Sequence, residues 1–335
     1  MSDIHRVIAV TESSQTLGAK VEARDLAEKI GFDDTDAHRA GLVATEMATN
    51  LVKHAPSGGE ILIRCTGADR TELEILAIDR GPGIADLNVS FSDGHSTSGS
   101  PGTGLGAIRR LSDAFDVFSK RPGGTVLFSR LRARTSHRVS AEGFEVGLVA
   151  VAKAGEDVSG DGWHVAGGPA AMTMLLADGL GHGIGAADAA NAAVAAFLRY
   201  TNAPPSEALE AVHDAVSHTR GAAAAVVSLS RSPALVKFAG VGNISGAITI
   251  NGTMRHAVSH NGTLGHEARI FREYSYPWAK DAIFVMHSDG LSTHWSLDAY
   301  PGLRNRHPSV IAAVLYRDFN RQRDDITVVV GREAA

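Results

Sequence analysis

Hydrophobic positions repeat at helical spacing through residues 14–30 and 35–54, where Leu42, Met47, Leu51 and Val52 are expected to form an apolar stripe. Shorter apolar runs at 4–10, 60–65, 72–79 and 125–131 read as strands, and 107–114 reads as a helix entered through glycines. The pattern then lapses. Residues 130–140 (Arg-Leu-Arg-Ala-Arg-Thr-Ser-His-Arg-Val-Ser) are basic and weakly apolar, as an exposed linker is. Beyond them, strands are expected at 144–153, 172–177, 223–229, 235–241, 282–287 and 326–330, and helices at 185–200, 206–220 and 308–317. The pattern predicts two α/β domains, residues 1–135 and 136–335, the second a sheet sandwich covered by helices.

Composition narrows the function classes. With 335 residues and 44% hydrophobic content, each half is large enough to bury a core. The longest apolar stretch, 186–197, contains Asp188 and Asn191 and falls short of the roughly 20 residues of a membrane span. No secretory pattern opens the chain, so cytoplasmic residence and no membrane partner are expected. Residues 1–135 carry 16 basic and 18 acidic side chains and residues 136–335 carry 16 and 19, which disfavours a nucleic-acid partner. Cys65 is the single cysteine, placed to be a buried hydrophobe; it excludes an internal disulfide and disfavours a thiolate zinc site.

In the first block Glu46, Asn50 and His54 lie four apart on one helix face. Standing alone they would read as a solvated face. They are followed by Asp79-Arg-Gly-Pro-Gly-Ile84, at the end of a strand, and by Ser100-Pro-Gly-Thr-Gly-Leu-Gly106, which opens a helix. Glycines there let backbone amides approach a phosphate at a helix N-terminus. The order and spacing resemble the GHKL ATPases, α/β sandwiches of the Bergerat type. With Asp93-Gly-His-Ser-Thr-Ser-Gly they resemble in particular the small serine kinases of the RsbT type, which act on STAS-domain proteins of bacterial stress and sigma-factor pathways. That resemblance implies ATP with Mg²⁺ as cofactors. Glu46 would be the general base and Asn50 the Mg²⁺ contact. Asp79, in the turn with Gly81 and Gly83, would read adenine. Gly102, Thr103, Gly104, Leu105 and Gly106 would line the nucleotide, and His54 would reach it or finish the helix. There is no room for a helix pair bearing a phosphoaccepting histidine, which argues against a sensor histidine kinase.

In the second block carboxylates stand at separate strand ends beside glycine: Asp161 in Gly-Asp-Gly-Trp, Asp178 in Ala-Asp-Gly-Leu-Gly-His-Gly, Asp289 in Ser-Asp-Gly, and Asp324 with Asp325 in Arg-Asp-Asp-Ile-Thr. A single Asp-Gly is an ordinary turn. Four such positions converging on one rim would suit hard divalent cations. The set resembles the metal-dependent protein serine/threonine phosphatases of the SpoIIE/RsbX branch, which are αββα sandwiches. Ala239-Gly-Val-Gly-Asn-Ile, without the histidine of the commoner version, tilts the likeness toward the RsbX type. The resemblance implies Mg²⁺ or Mn²⁺ held by Asp178, the Gly179 carbonyl, Asp289 and Asp324, with Asp161 acting through water and Asp325 in support. His182 and His287 are expected to be neither zinc ligands nor acids, and Trp163 and Trp295 to shield site or core.

The expected function is reversible serine/threonine phosphorylation of a STAS-domain partner of the anti-sigma antagonist or stressosome kind. The rivals are a phosphatase with a nucleotide-responsive regulator, and an anti-sigma-like binding module.

Overall fold

The computed structural model describes residues 4–67, 70–87, 104–133 and 143–334. Among them the helices are α1 (Gln15–Lys29), α2 (Asp34–His54), α3 (Gly104–Leu111), α4 (Ile184–Phe197), α5 (Pro205–Ala215) and α6 (Pro308–Phe319). None is long and apolar enough to cross a membrane. Contacts divide the chain into two units. One is His5–Val139 with Asn305–Arg317; the other is Met1–Ile4, Ser140–Arg304 and Asp318–Ala335. The expected division at 135/136 differs from this grouping by the short segments at 1–4, 136–139 and 305–317.

In the first unit β1 (Arg6–Val10), β2 (Gly59–Thr66), β3 (Glu72–Asp79), β4 (Ala114–Lys120) and β5 (Gly124–Arg132) form a sheet of order β1-β2-β3-β5-β4, each neighbouring pair antiparallel. Period-two alternation gives each strand two faces. Ile61, Ile63, Cys65, Leu73, Ile75, Ala77, Leu127 and Leu131 share a core with α1, α2 and α3. The α2 stripe that enters this core is Ala37, Ala40, Val43, Ala44, Met47, Ala48 and Leu51, whereas Leu42, expected on it, is exposed. Alanines at these positions let α1 and α2 approach closely. Asp33 caps α2 by accepting the Asp36 N–H at 2.7 Å, and Pro56 follows directly on the C-cap residue Ala55.

The other face of the sheet carries Glu60, Leu62, Arg64, Glu74, Leu76, Phe128 and Arg130, and residues 305–317 lie on it. Ser309 Oγ donates to Glu74 Oε2 at 2.9 Å, and the Tyr316 hydroxyl to Glu60 Oε2 at 3.2 Å. The His307 ring stacks on Phe128 with centroids 4.1 Å apart. The linker expected at 130–140 is therefore corrected at its start. Arg130 and Arg132 belong to β5, where strand pairing and the carboxylates of Glu72 and Glu74 outweigh the polar composition.

Glu74 is fully buried between Arg64 at 3.0 Å and Arg130 at 3.2 Å. Burial alone would raise its pKa, but Arg64 and Arg130 hold it down at about 2. Its contribution to stability is thus present above the unfolded carboxyl range and is lost as the pH falls from about 4 toward 2. Glu74→Ala leaves buried guanidinium groups without a counter-charge, an expected loss of about 3–5 kcal/mol. Urea unfolding at pH 7 measures it; a loss below about 1 kcal/mol would contradict the network's role.

The second unit stacks two five-stranded sheets. One is ordered β13-β10-β9-β8-β7, from β7 (Asp161–Gly167), β8 (Ala171–Gly179), β9 (Ala222–Arg231), β10 (Ala234–Val241) and β13 (Tyr274–Pro277). The other is ordered β12-β11-β14-β15-β6, from β6 (Phe144–Val151), β11 (Ser245–Ile250), β12 (Thr253–His256), β14 (Ile283–His287) and β15 (Ile326–Glu333). Met174, Leu176, Ala225 and Val227 meet Leu148, Phe284, Met286 and Val329 between the sheets. Leu175, Ala177, Ala224 and Val226 pack outward on α4 and α5.

Two candidate active sites

Helix α2 presents Glu46 and Asn50 one turn apart, beside its buried stripe. The N-terminus of α3 comes against them. A Cβ placed on Gly104 would lie 3.2 Å from Asn50 Oδ1 and 3.7 Å from Glu46 Oε2. Leu105 and Gly106 follow in the first turn of α3; Gly102 and Thr103 lie outside the described residues. Asn50 Nδ2 is buried with no hydrogen-bond partner among the described residues, beside this glycine helix start.

Asp79 ends β3 half-buried. Burial raises its pKa, while the backbone N–H groups of Gly81 and Thr125 oppose the rise; Gly81 donates to Asp79 Oδ1 at 2.7 Å. Arg317 Nη1 donates to the Asp79 carbonyl at 3.4 Å, and the Arg80 guanidinium donates to the Arg317 carbonyl. Gly83 holds φ at +75°, and a Cβ there would lie 2.4 Å from the Lys120 carbonyl oxygen. His54, at the end of α2, stands beside the turn: its carbonyl abuts Gly81, and its charge bears on Asp79.

The second unit gathers its carboxylates from both sheets. Asp161 starts β7 directly opposite Asp178, near the end of β8. Asp289 follows β14, and Asp324 with Asp325 precedes β15. Contacts between the sheets tie the strand ends together. Ser288 Oγ donates to Asp161 Oδ2 at 2.7 Å and accepts the Thr327 N–H at 2.9 Å. Asp325 is buried and accepts the N–H groups of Lys153 and Gly160, each at 2.9 Å. Both of its oxygens are engaged in these backbone contacts. Gly179 can carry no side chain, because a Cβ would lie 2.1 Å from the Ala186 carbonyl oxygen of α4.

Like charges crowd here. Burial, then the charges of Asp161, Asp289, Asp324 and Asp325, push the Asp178 carboxyl up to about 9. Burial is also the main cause that raises Asp161 to about 7, with Asp325 and Asp289 adding to it. Asp289 is raised by burial and by Asp324, against the opposing effect of Asn243 and Arg321.

The donor set fits a divalent cation. Asp161 Oδ1 is buried without a partner among the described residues, the side-chain donors are carboxylate oxygens, and burial with mutual repulsion raises Asp178, Asp161 and Asp289 together. Among the described residues no three His, Cys, Asp or Glu side chains form a closed ligand group. Hard cations that keep several of their waters suit such an open set.

The two histidines beside the acidic turns are both hydrogen-bonded. His287 donates from Nδ1 to the Ser288 carbonyl at 2.8 Å and accepts the Trp295 indole N–H at Nε2 at 3.2 Å. Burial lowers its pKa to about 4, so it is neutral. His182 pairs with Glu156 at 2.6 Å. Trp295 is buried, and Trp163 is partly buried against the core between the sheets. Two site residues escaped sequence reasoning. Asn243 donates to Asp289 Oδ2 at 2.8 Å, and Ser288 joins the strand ends. Asn243 lies in the Gly-Val-Gly-Asn stretch that had been read only for its missing histidine; a serine before Asp-Gly gives no signal of its own.

Comparison with known proteins agrees with both geometries. The histidine kinase-like ATPase domain matches residues 11–130, and the stage II sporulation protein E (SpoIIE) family matches residues 168–332. The serine/threonine-protein kinase RsbT of Bacillus subtilis is 34% identical over 109 residues, which is 32% of this chain and 82% of RsbT. The phosphoserine phosphatase RsbX of the same organism is 22% identical over 186 residues, 54% of this chain and 90% of RsbX. A structure solved in work on the bacterial stressosome matches with a TM-score of 0.53 and 28% identity, covering 57% of this chain and all of its own. The fold of RsbX in complex with magnesium matches with a TM-score of 0.50 and 19% identity, covering 58% of this chain and 98% of its own. The chain belongs to the histidine kinase-like ATPase family, with a domain of the RsbT kinase kind joined to a SpoIIE-type phosphatase domain of the RsbX kind.

Proposed function

We propose that this chain sets the phosphorylation level of a STAS-domain partner in a bacterial partner-switching pathway, adding phosphate to a serine or threonine with one unit and removing it with the other. The observation that carries the reading is the pairing, in one chain, of Glu46 and Asn50 against Gly104 with a buried cluster of carboxylates at converging strand ends. RsbT and the stressosome structure are the relatives that favour a STAS-domain partner. The kinase function is assigned to residues 1–135 and the phosphatase function to residues 136–335, with Asn305–Arg317 serving as a structural part of the first unit.

In the kinase reaction Glu46 takes the proton of the substrate hydroxyl. Asn50 holds the Mg²⁺ of Mg²⁺–ATP, Asp79 accepts from the adenine amino group, and the amides at the start of α3 meet the phosphates. In the phosphatase reaction Asp178, the Gly179 carbonyl, Asp289 and Asp324, with Asp161 in support, would hold the divalent cations. When bound, Mg²⁺ or Mn²⁺ would supply an activated water and neutralise the phosphoryl charge. Asn243 orients Asp289, Ser288 orients Asp161, and Asp325 fixes the Gly160 turn. A cytoplasmic location accords with both chemistries.

The test is labelled phosphate followed into and out of a purified STAS-domain protein, first with ATP and then with Mn²⁺ after ATP is removed. Incorporation followed by release is expected. Release without incorporation would reduce the first unit to a nucleotide-responsive regulator, and neither would leave a binding module.

A further inference from the structure

A phosphatase site built from five carboxylates faces a difficulty: its substrate is a phosphate dianion. Metal charge answers part of it, and a protein cation commonly answers the rest. Arg321 is the cation whose charge bears on Asp289. A second cation, Arg220, stands beside the turn that follows Asp178. It sits between α5 and β9, exposed, and forms no ion pair among the described residues.

Its guanidinium lies across the glycine turn that follows Asp178. A Cβ on Gly185 would stand 2.6 Å from Arg220 Nε and 3.0 Å from Nη2, and a Cβ on Gly181 would stand 3.4 Å from Nη1. The backbone holds it there, since the Leu180 N–H donates to the Gly221 carbonyl at 3.0 Å. Gly181 in turn abuts Gly160, the residue before Asp161, with its carbonyl oxygen 3.6 Å from a Cβ built on Gly160. The guanidinium thus stands beside the turn that joins Asp178 to α4, and that turn abuts the residue before Asp161. Glycine at 185 is what leaves room for it.

We propose that Arg220 is the residue that binds the substrate's phosphoryl oxygens at the carboxylate cluster and so selects phosphomonoesters. The role rests on the phosphatase reading above. A guanidinium offers paired N–H donors to two phosphoryl oxygens, and glycine at 181 and 185 leaves this one its place beside the turn.

The experiment uses the full chain with Mn²⁺, p-nitrophenyl phosphate and a phosphoserine peptide as substrates, and inorganic phosphate as competitor. Arg220→Gln is expected to raise KM and the inhibition constant of phosphate about 10–100-fold, with kcat changed less, because a charge-assisted contact is lost. Arg220→Lys should recover part of both. Gly185→Ala keeps the arginine but drives its guanidinium aside, and should reproduce the KM shift within an intact helix. Melting temperatures near the wild type's keep these changes distinct from misfolding. If the wild type turns over while Arg220→Gln and Gly185→Ala leave KM and phosphate inhibition unchanged, Arg220 has no such role and the phosphatase reading stands. If the wild type has no Mn²⁺-dependent turnover, the phosphatase reading falls and takes this role with it.

Discussion

An Asp178→Asn chain is expected to lose Mn²⁺-dependent phosphatase turnover and yet, freed of metal, to be more stable than the wild type. The loss follows from the central place of Asp178 among the carboxylates and should reach at least about 10²-fold. The gain follows from the same crowding. The folded Asp178 carboxyl is pushed up to about 9, far above its unfolded value of about 4. A carboxyl raised in this way binds its proton more tightly in the folded state. Stability is therefore full below about pH 4 and drains away as the pH climbs toward 9. Asparagine does not ionise, so the drain from this position disappears. At pH 8 the metal-free variant should exceed the wild type by several kcal/mol, up to about 5, and at pH 4 the two should nearly coincide. Saturating Mn²⁺ should reverse the order at pH 8, since only the wild type gains full binding energy. Thermal melts with EDTA and with Mn²⁺, at both pH values, measure all of this. Wild-type turnover in the variant, or identical metal-free melts at pH 8, would contradict the proposed metal site.

The second large effect lies in the other unit. In an Asp178→Asn background, where dephosphorylation no longer masks transfer, Glu46→Gln should lower phosphate transfer to the STAS-domain partner by about 10²–10⁴-fold. ATP affinity should stay within a few-fold, because the amide keeps the side chain's shape against Gly104 and loses only the basic oxygen. Asn50→Ala should differ in kind. It removes the unpartnered amide that faces the start of α3, and with it the proposed hold on the metal and phosphates, so nucleotide binding should weaken as well. Labelled transfer and ATP calorimetry separate the two outcomes. Unchanged transfer in Glu46→Gln would remove the general-base assignment.

Much of the fold was legible because its signals are local. The β3 span (Glu72–Asp79) was read to the residue and α1, α2, α4 and α6 to within three residues, whereas α5 ends five residues before its expected end at 220 and α3 begins three residues before its expected start at 107. The omissions share a physical cause. Ala114–Lys120 mixes Asp116, Ser119 and Lys120 with its apolar residues, and is a strand because β5 pairs with it. Thr253–His256 and Tyr274–Pro277 are short edge strands whose identity comes from their neighbours; Asp161–Gly167 and Ser245–Ile250, also missed, contain glycine and are strands through their pairing with β8 and β14. At the sites, the Asp-Gly and Gly-x-Gly turns were visible because they need particular residues at particular backbone positions. Asn243 and Ser288 were not, because their roles come from partners distant in sequence: Asn243 and Asp289 are 46 residues apart, Ser288 and Asp161 are 127. The same distance concealed the allegiance of residues 305–317, whose partners Glu60, Glu74 and Phe128 come from the opposite part of the chain.

That allegiance reaches into how the protein is made. A ribosome releases the N-terminal sheet and its helices first, but the segment that covers the sheet's second face is encoded after residue 304. At about 5–20 residues per second, the stretch 140–304 takes roughly 8–30 s to synthesise. During that interval Leu62, Leu76 and Phe128 wait uncovered, an apolar surface of the sort that engages chaperones or nascent neighbours. A stop codon anywhere in that stretch would leave every Glu46-side motif in place and still deliver a kinase-type domain without its cover. The two activities are thus bound together in biogenesis, before any substrate is met.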